Sequence, residues 1–187
     1  HLLGVPMPAV YLREDAQVGL AAVTAEEPSV IAGAGVLRGK TLTELAFAAG
    51  RHLGYHFGSH RLLLYFPVID DLAACFLAAV RTVMPDASVS PKMEKAAAAM
   101  QSRIEPLLDA KARSALERAV LAFDAAGSRA DLHAWVAAVE RCSTRAGYLL
   151  ANDLRTAATS LAAEGPGILT VEQKMVDLLW FTVSEEF

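Results

Sequence analysis

Three of the five histidines fall within the short stretch RHLGYHFGSH, which contains His52, His56 and His60. They are four residues apart, and two histidines at that spacing on a helix face the same side and can share one metal ion. Leu53 and Phe57 follow the first two, and neither can supply the general base that the glutamate of H-E-x-x-H provides. The stretch therefore indicates either a metal site without its usual base or histidines that are only packed or solvated.

Other catalytic signatures are absent from the sequence. There is no G-x-S-x-G nucleophile motif, and the glycines of AGAGVLRGK have the wrong spacing for a phosphate-binding loop. The two cysteines, Cys75 and Cys142, lie far apart on apolar helical patterns, which favours free thiols over a disulfide. The histidine stretch is thus the main candidate for chemistry.

The elements around this stretch predict how it is held. Thr41 and Glu44 form a capping box, so a helix is expected from about Leu42 to Gly58 or Ser59. Before it, the apolar runs AVYLRED, VGLAAVT and SVIAGAGVL predict short strands in a small sheet. After it, apolar periodicity broken by prolines predicts further helices. We expect an α+β fold that is mainly α, with about six to seven helices in one domain spanning 1–187.

Composition limits the classes of partner. The 187 residues are 54% hydrophobic, and the net charge is −4, so no basic field suggests nucleic acid. No apolar run approaches the roughly 18 residues of a membrane span, and the N-terminus lacks a signal-peptide pattern. We therefore expect a soluble, cytoplasmic protein. The sequence starts without methionine and ends on an apolar run, which favours a fragment of a longer protein.

Two separated segments carry a family resemblance. PAVYLREDAQVGLAAVTAEEPSVIAGAGVLRGKTLTELAFAAGRHLGYH resembles the core of the HtpX-like and CAAX-prenyl-protease-like zinc metallopeptidases, which are gluzincins. The likeness covers residues 8–60 and 135–163. It places LTELAFAAGRHLGY on the family's active-site helix, whose motif is H-E-L-G-H. Arg51 then stands at the first zinc-histidine position, His52 at the catalytic-glutamate position and Tyr55 at the second histidine position.

The second segment, ERCSTRAGYLL, resembles the family's E-x-x-A-D motif. Glu140 matches the third zinc ligand, Ser143 replaces the small alanine and Thr144 replaces the aspartate. The resemblance implies a zincin-like core in which a small sheet edge lies beside the active-site helix, with the glutamate-bearing helix opposite. It also implies that the metal is lost, and that Arg51 forms an ion pair with Glu140 in its place.

Alternative interpretations remain. In a register shifted by one residue, His52, His56 and Glu140 form a two-histidine, one-glutamate zinc set for a metal-dependent hydrolase. A shift of one residue turns a helix by about 100°, so Arg51 and His52 cannot both serve the same site. A third possibility is a purely helical scaffold whose resemblance to the family is accidental.

The sequence therefore predicts a non-catalytic, metallopeptidase-like domain without a cofactor, with the zinc hydrolase as the alternative. We expect it to serve as a structural or protein-interaction module of a larger, bacterial protein. Its expected partners are a protein or peptide, or neighbouring domains of the same polypeptide. No nucleic acid and no membrane span are expected.

Overall fold

The computed structural model describes residues 3–15, 19–23, 27–164 and 167–184. The chain divides into two compact units, one formed by His1–Tyr65 with His133–Phe187 and the other by Phe66–Leu132. The first unit contains all the candidate site residues. Whether the two units act as the one domain expected from the sequence stays a prediction.

Three short strands form the sheet of the first unit: β1 (Ala9–Arg13), β2 (Leu20–Val23) and β3 (Ser29–Gly33). The order is β1-β3-β2, with β1 parallel and β2 antiparallel to β3. β3 is central and buries Val30 and Ala32, as expected for an apolar strand with neighbours on both sides. Both outer strands are therefore sheet edges in the part of the chain that the structure describes.

After β3 the chain makes one helical turn, α1 (Ala34–Leu37), and then enters α2 (Leu42–Gly54). The capping box is formed: Glu44 N–H donates to Thr41 Oγ1, and Thr41 N–H donates to the Glu44 carboxylate. α2 ends at Gly54, with Tyr55 as its C-cap, which is shorter than the sequence predicts. A 3-10 turn (Gly58–Arg61) and the one-turn helix α3 (Leu62–Tyr65) follow.

The second unit contains α4 (Ile69–Val83), α5 (Pro91–Ile104) and α6 (Ala110–Ala125). α4 packs against both other helices, and Phe76 meets Phe123 edge to face at 5.4 Å. Pro91 is the first residue of α5, a position that suits proline because its missing N–H would have no helical partner there. The sequence pattern predicts Pro106 in the first turn of the next helix, but Pro106 lies in a 3-10 turn (Glu105–Leu107), and the Asp109 carboxylate caps α6 instead.

Three more helices complete the first unit: α7 (Leu132–Ala151), α8 (Leu154–Glu164) and α9 (Val171–Thr182). α9 begins at a second capping box, in which Thr170 and Gln173 bond each other's backbone N–H groups. The apolar faces of α2, α7, α8 and α9 meet in one core, whose buried members are Phe47, Tyr148, Ala157, Leu161, Leu178 and Phe181. This core fixes the helices that carry the candidate site.

The prediction of a mainly helical protein with a small N-terminal sheet is confirmed. The described residues contain seven helices of eleven residues or more and the two single-turn helices α1 and α3, which the sequence did not predict. The predicted strands are formed, although Val18 and Thr24 of the second run lie outside the described residues. A zincin core stays a prediction.

Across the described ranges, no single helix is long and apolar enough to cross a membrane. One bent pair, Gly58–Tyr65 with Ile69–Val83, passes by length and composition only when its two segments are counted together.

Candidate functional site

The site is built on a close crossing of α2 and α7. A Cβ added to Gly50 would lie 2.4 Å from the Ala146 carbonyl oxygen, and one added to Gly54 would lie 2.6 Å from the Ser143 Cα. On the other helix, a Cβ at Gly147 would lie 2.9 Å from the carbonyl oxygen of Phe47 on α2. These glycines let the two backbones touch, so side chains of α2 reach groups on α7 directly.

Arg51 on α2 lies close enough to α7 to form hydrogen bonds with it. Its Nη1 donates to Thr144 Oγ1 at 2.7 Å and to Ser143 Oγ at 3.3 Å, and its Nη2 pairs with Glu164 Oε2 at 2.6 Å. The Arg51 side chain is 10% exposed and the Glu164 side chain is 39% exposed. The guanidinium therefore joins α2 to α7 through hydroxyls and to the end of α8 through a charge.

The predicted ion pair between Arg51 and Glu140 is wrong. Glu140 instead pairs with the buried Lys174 on α9 at 3.1 Å, and its two carboxylate oxygens accept the N–H groups of Ile168 and Leu169 at 3.0 and 3.1 Å. There are thus two separate ion pairs, Arg51 with Glu164 and Lys174 with Glu140. The carboxylate of Glu140 lies in a closed polar cluster that ties α7 to the start of α9.

Gly167 belongs to the same cluster. A Cβ at this position would lie 2.4 Å from Glu140 Oε1, inside the carboxylate's contact distance. The glycine lets the segment before α9 approach closely enough for two backbone N–H groups to bond Glu140. This carboxylate is therefore enclosed by backbone as well as by Lys174.

His52 lies in α2 and His56 lies just after it, because the helix ends at Gly54. The two side chains are nevertheless in contact. Their Nε2 atoms are 3.1 Å apart, and both side chains are buried. When both imidazoles are neutral, one Nε2–H donates and the other Nε2 accepts. His56 Nδ1 is buried without a hydrogen-bond partner among the described residues. His60 lies apart from the pair, and its Nδ1–H donates to the Gly54 carbonyl at 3.1 Å.

Burial controls the charge of this pair. It lowers the pKa of His52 to about 4, with a further contribution from the neighbouring His56. Burial also lowers the pKa of His56, assisted by the positive charge of Arg61. Both imidazoles are accordingly neutral at physiological pH.

The proposed zinc set of His52, His56 and Glu140 is not brought together. Both Glu140 oxygens are engaged with Lys174 and the backbone, so this carboxylate does not fit as a ligand shared with the histidines. In the described ranges, no three His, Cys, Asp or Glu side chains form a group with metal-site geometry. The two histidines bond each other, and the glutamate belongs to a different cluster.

We predict a pH dependence of stability from His52. Its pKa is about 4 in the folded protein and about 6.5 in the unfolded chain, so the unfolded chain binds more protons between these values. The free energy of unfolding should therefore fall by roughly 3 kcal/mol as the pH is lowered from about 6.5 to about 4. Urea unfolding across this range measures it.

A matched pair of variants separates His52 from other groups that titrate in the same range. His52→Gln should remove most of this fall, whereas His133→Gln, at an exposed position, should leave it unchanged. If the free energy of unfolding falls with pH as steeply in His52→Gln as in the unsubstituted protein, other groups are responsible for the fall.

A cleft of about 460 Å³ opens in front of α2. Arg51, His52 and Tyr55, the three positions matched to the family's helix motif, all line it. Leu20 of β2 and Glu164 of α8 also line it. The positions that the sequence singled out on α2 therefore face one shared space beside a strand edge.

No family model, curated protein or solved structure matches this sequence. The resemblance to metallopeptidases stays a prediction, and the geometry of the cleft is the basis for any assignment of function.

The sequence predicted part of this site. Arg51, His52 and Tyr55 share the cleft, and Thr144 bonds Arg51, whereas Glu140 belongs to a separate cluster. Sequence reasoning missed Glu164 and Lys174, the charges that complete the two ion pairs. No local pattern marks either one, since each meets its partner only through tertiary packing.

Proposed function

We propose that this protein is a non-catalytic, metallopeptidase-like domain that serves as a protein-interaction module and binds an extended peptide segment in its cleft. The observation that carries the proposal is the position of Arg51, His52 and Tyr55 in one cleft bordered by the edge of β2. Arginine is a permanent cation without a lone pair for a metal, so its place there favours binding over metal catalysis.

The hydrogen-bonding geometry of β2 suits a peptide strand. Gly33 N–H donates to the Gly19 carbonyl, and bonded pairs alternate along antiparallel strands, so Ala21 and Val23 also face β3. The N–H and C=O groups of Leu20 and Ala22 therefore point away from the sheet. Leu20 lies at the cleft, so a peptide that adds to this edge would run along its wall.

The other edge, β1, is less suited to strand addition. Ala9 N–H donates to the Pro28 carbonyl, so Val10 and Leu12 carry the outward-facing groups of β1. By the same alternation, Pro8 stands at the next outward position and has no N–H to donate. Proline and flanking charge are devices that block pairing at exposed sheet edges. This contrast favours β2 as the binding edge.

A proline scan of the two edges tests the proposal. Peptides are first selected on the immobilised protein from a random display library, and their dissociation constants are then measured by fluorescence anisotropy. Ala22→Pro removes an outward N–H of β2 and should weaken binding at least about tenfold, the effect of a lost buried hydrogen bond.

Leu12→Pro is the matched control, because it removes the equivalent outward N–H of β1 and should leave affinity unchanged. Equal losses in both variants, or no loss in Ala22→Pro, would contradict strand addition at β2. Stoichiometric zinc that disappears in His52→Ala would replace the proposal with the metal-dependent hydrolase.

A further inference from the structure

The cleft contains a preformed site for a carboxylate that is filled by a residue of the protein itself. Arg51 is fixed on one side by Ser143 and Thr144, which accept from Nη1. On the other side its Nη2 meets Glu164 at 2.6 Å. The two hydroxyls hold the guanidinium in place independently of Glu164, so the cation stays aimed at the same point if Glu164 leaves.

Glu164 is placed so that it can be displaced. It is the last residue of α8, where the helix carbonyls disfavour a nearby negative charge. Its side chain is 39% exposed, against 10% for Arg51, so its carboxylate exchanges with solvent at little desolvation cost. Its only ion pair in the described ranges is the one with Arg51.

The remaining charges of the cleft favour an anion once Glu164 has moved. Lys40 and Arg51 line the cleft as cations, and Glu44 lines it as an anion whose carboxylate is engaged in the Thr41 capping box. Burial keeps His52 neutral. Among the lining residues that the structure describes, the charge without Glu164 is therefore net positive, and Arg51 is the cation that hydrogen bonds hold in place.

We propose that the cleft recognises a carboxylate of its partner at Arg51, and that Glu164 is an internal competitor that occupies this site in the free protein. The proposal rests on the peptide-binding function above and names the chemistry of the bound segment. The carboxylate is that of an acidic side chain or of a free C-terminus. Binding of the partner's carboxylate would release Glu164 from Arg51, so the last residue of α8 would lose its contact with α2.

Three matched tripeptides test the proposal and separate the two sources. Acetyl-Ala-Glu-Ala-amide carries the carboxylate on its glutamate, acetyl-Ala-Gln-Ala-acid carries a terminal one, and acetyl-Ala-Gln-Ala-amide carries none. Each is titrated into the 187-residue protein while the backbone amide signals of the cleft residues are followed by NMR. At least one of the two carboxylate peptides should bind, and the uncharged peptide should not.

Glu164→Gln should increase the affinity for that carboxylate peptide about tenfold, because the competitor loses its charge while the helix end keeps its shape. Arg51→Gln should abolish binding, and its circular dichroism checks that the fold is retained. If Arg51→Gln does not fold, the proposal is judged by whether Glu164→Gln binds the carboxylate peptide more tightly. Equal binding of the uncharged peptide, or no gain in Glu164→Gln, overturns the proposal.

The outcomes also separate this proposal from the peptide-binding function. If selected peptides bind more weakly to Ala22→Pro but no more tightly to Glu164→Gln, the peptide-binding function is supported and the carboxylate site is contradicted. If carboxylate peptides bind more tightly to Glu164→Gln while Ala22→Pro does not change peptide affinity, the anion site is supported and strand addition at β2 is contradicted.

Discussion

Replacing Gly50 with alanine is expected to lower the free energy of unfolding of the site-bearing unit by about 3 kcal/mol. The new Cβ would lie 2.4 Å from the Ala146 carbonyl oxygen and 2.8 Å from the Gly147 Cα. Both obstacles are backbone atoms of α7, so a rotamer change cannot relieve the clash. The gain in helix propensity from glycine to alanine is only about 1 kcal/mol and does not offset the separation of the two helices.

Urea unfolding followed by tryptophan fluorescence measures this loss, because Trp135 and Trp180 both lie in the unit that carries the site. Gly19→Ala is the matched control: its Cβ would lie 3.6 Å from Val36 Cγ2, an ordinary contact, and stability should change little. Wild-type stability in Gly50→Ala would mean that α2 and α7 do not cross as closely as described.

Replacing Glu140 with alanine is expected to cost about 3 to 5 kcal/mol, the range for breaking one side of a buried ion pair. Lys174, 4% exposed, would lose its counterion, and the N–H groups of Ile168 and Leu169 would lose their acceptor. These losses fall on the segment that connects to α9. The core contacts of Leu178 and Phe181 should weaken with them.

Two comparisons isolate the buried pair. Asp15→Asn breaks the exposed pair with Arg13, which water screens, and should leave the free energy of unfolding almost unchanged. The double variant Glu140→Gln with Lys174→Met removes both charges and should recover much of the loss in urea unfolding. A small effect in Glu140→Ala, similar to that of Asp15→Asn, would show that the cluster is not buried in solution.

Local features of the fold were predictable because their causes are local. The capping boxes at Thr41 and Thr170 involve residues three positions apart, so the starts of α2 and α9 follow from short sequence patterns. The three N-terminal strands are similarly marked by short apolar runs. The end of α2 was not predictable from a local pattern: the helix ends at Gly54 in a turn, in which the N–H groups of Tyr55 and His56 donate to the carbonyls of His52 and Leu53.

The partners of the charged side chains could not be predicted. Arg51 and Glu140 both face the interior, and their motif positions alone made them candidates for one pair. The three-dimensional packing instead supplies Glu164 from the end of α8 and Lys174 from α9. The histidine spacing was informative in an unexpected way, since His52 and His56 meet across the end of the helix and bond each other.

An extended segment bound along β2 would cover the outward N–H groups of that strand. Amide hydrogen exchange at Leu20 and Ala22, measured by NMR with and without a selected peptide, tests it most directly. These outward N–H groups should exchange rapidly in the free protein and at least about tenfold more slowly in the complex, as hydrogen-bonded strand amides do. Unchanged exchange at both residues in a saturated complex would show that the peptide does not add to β2.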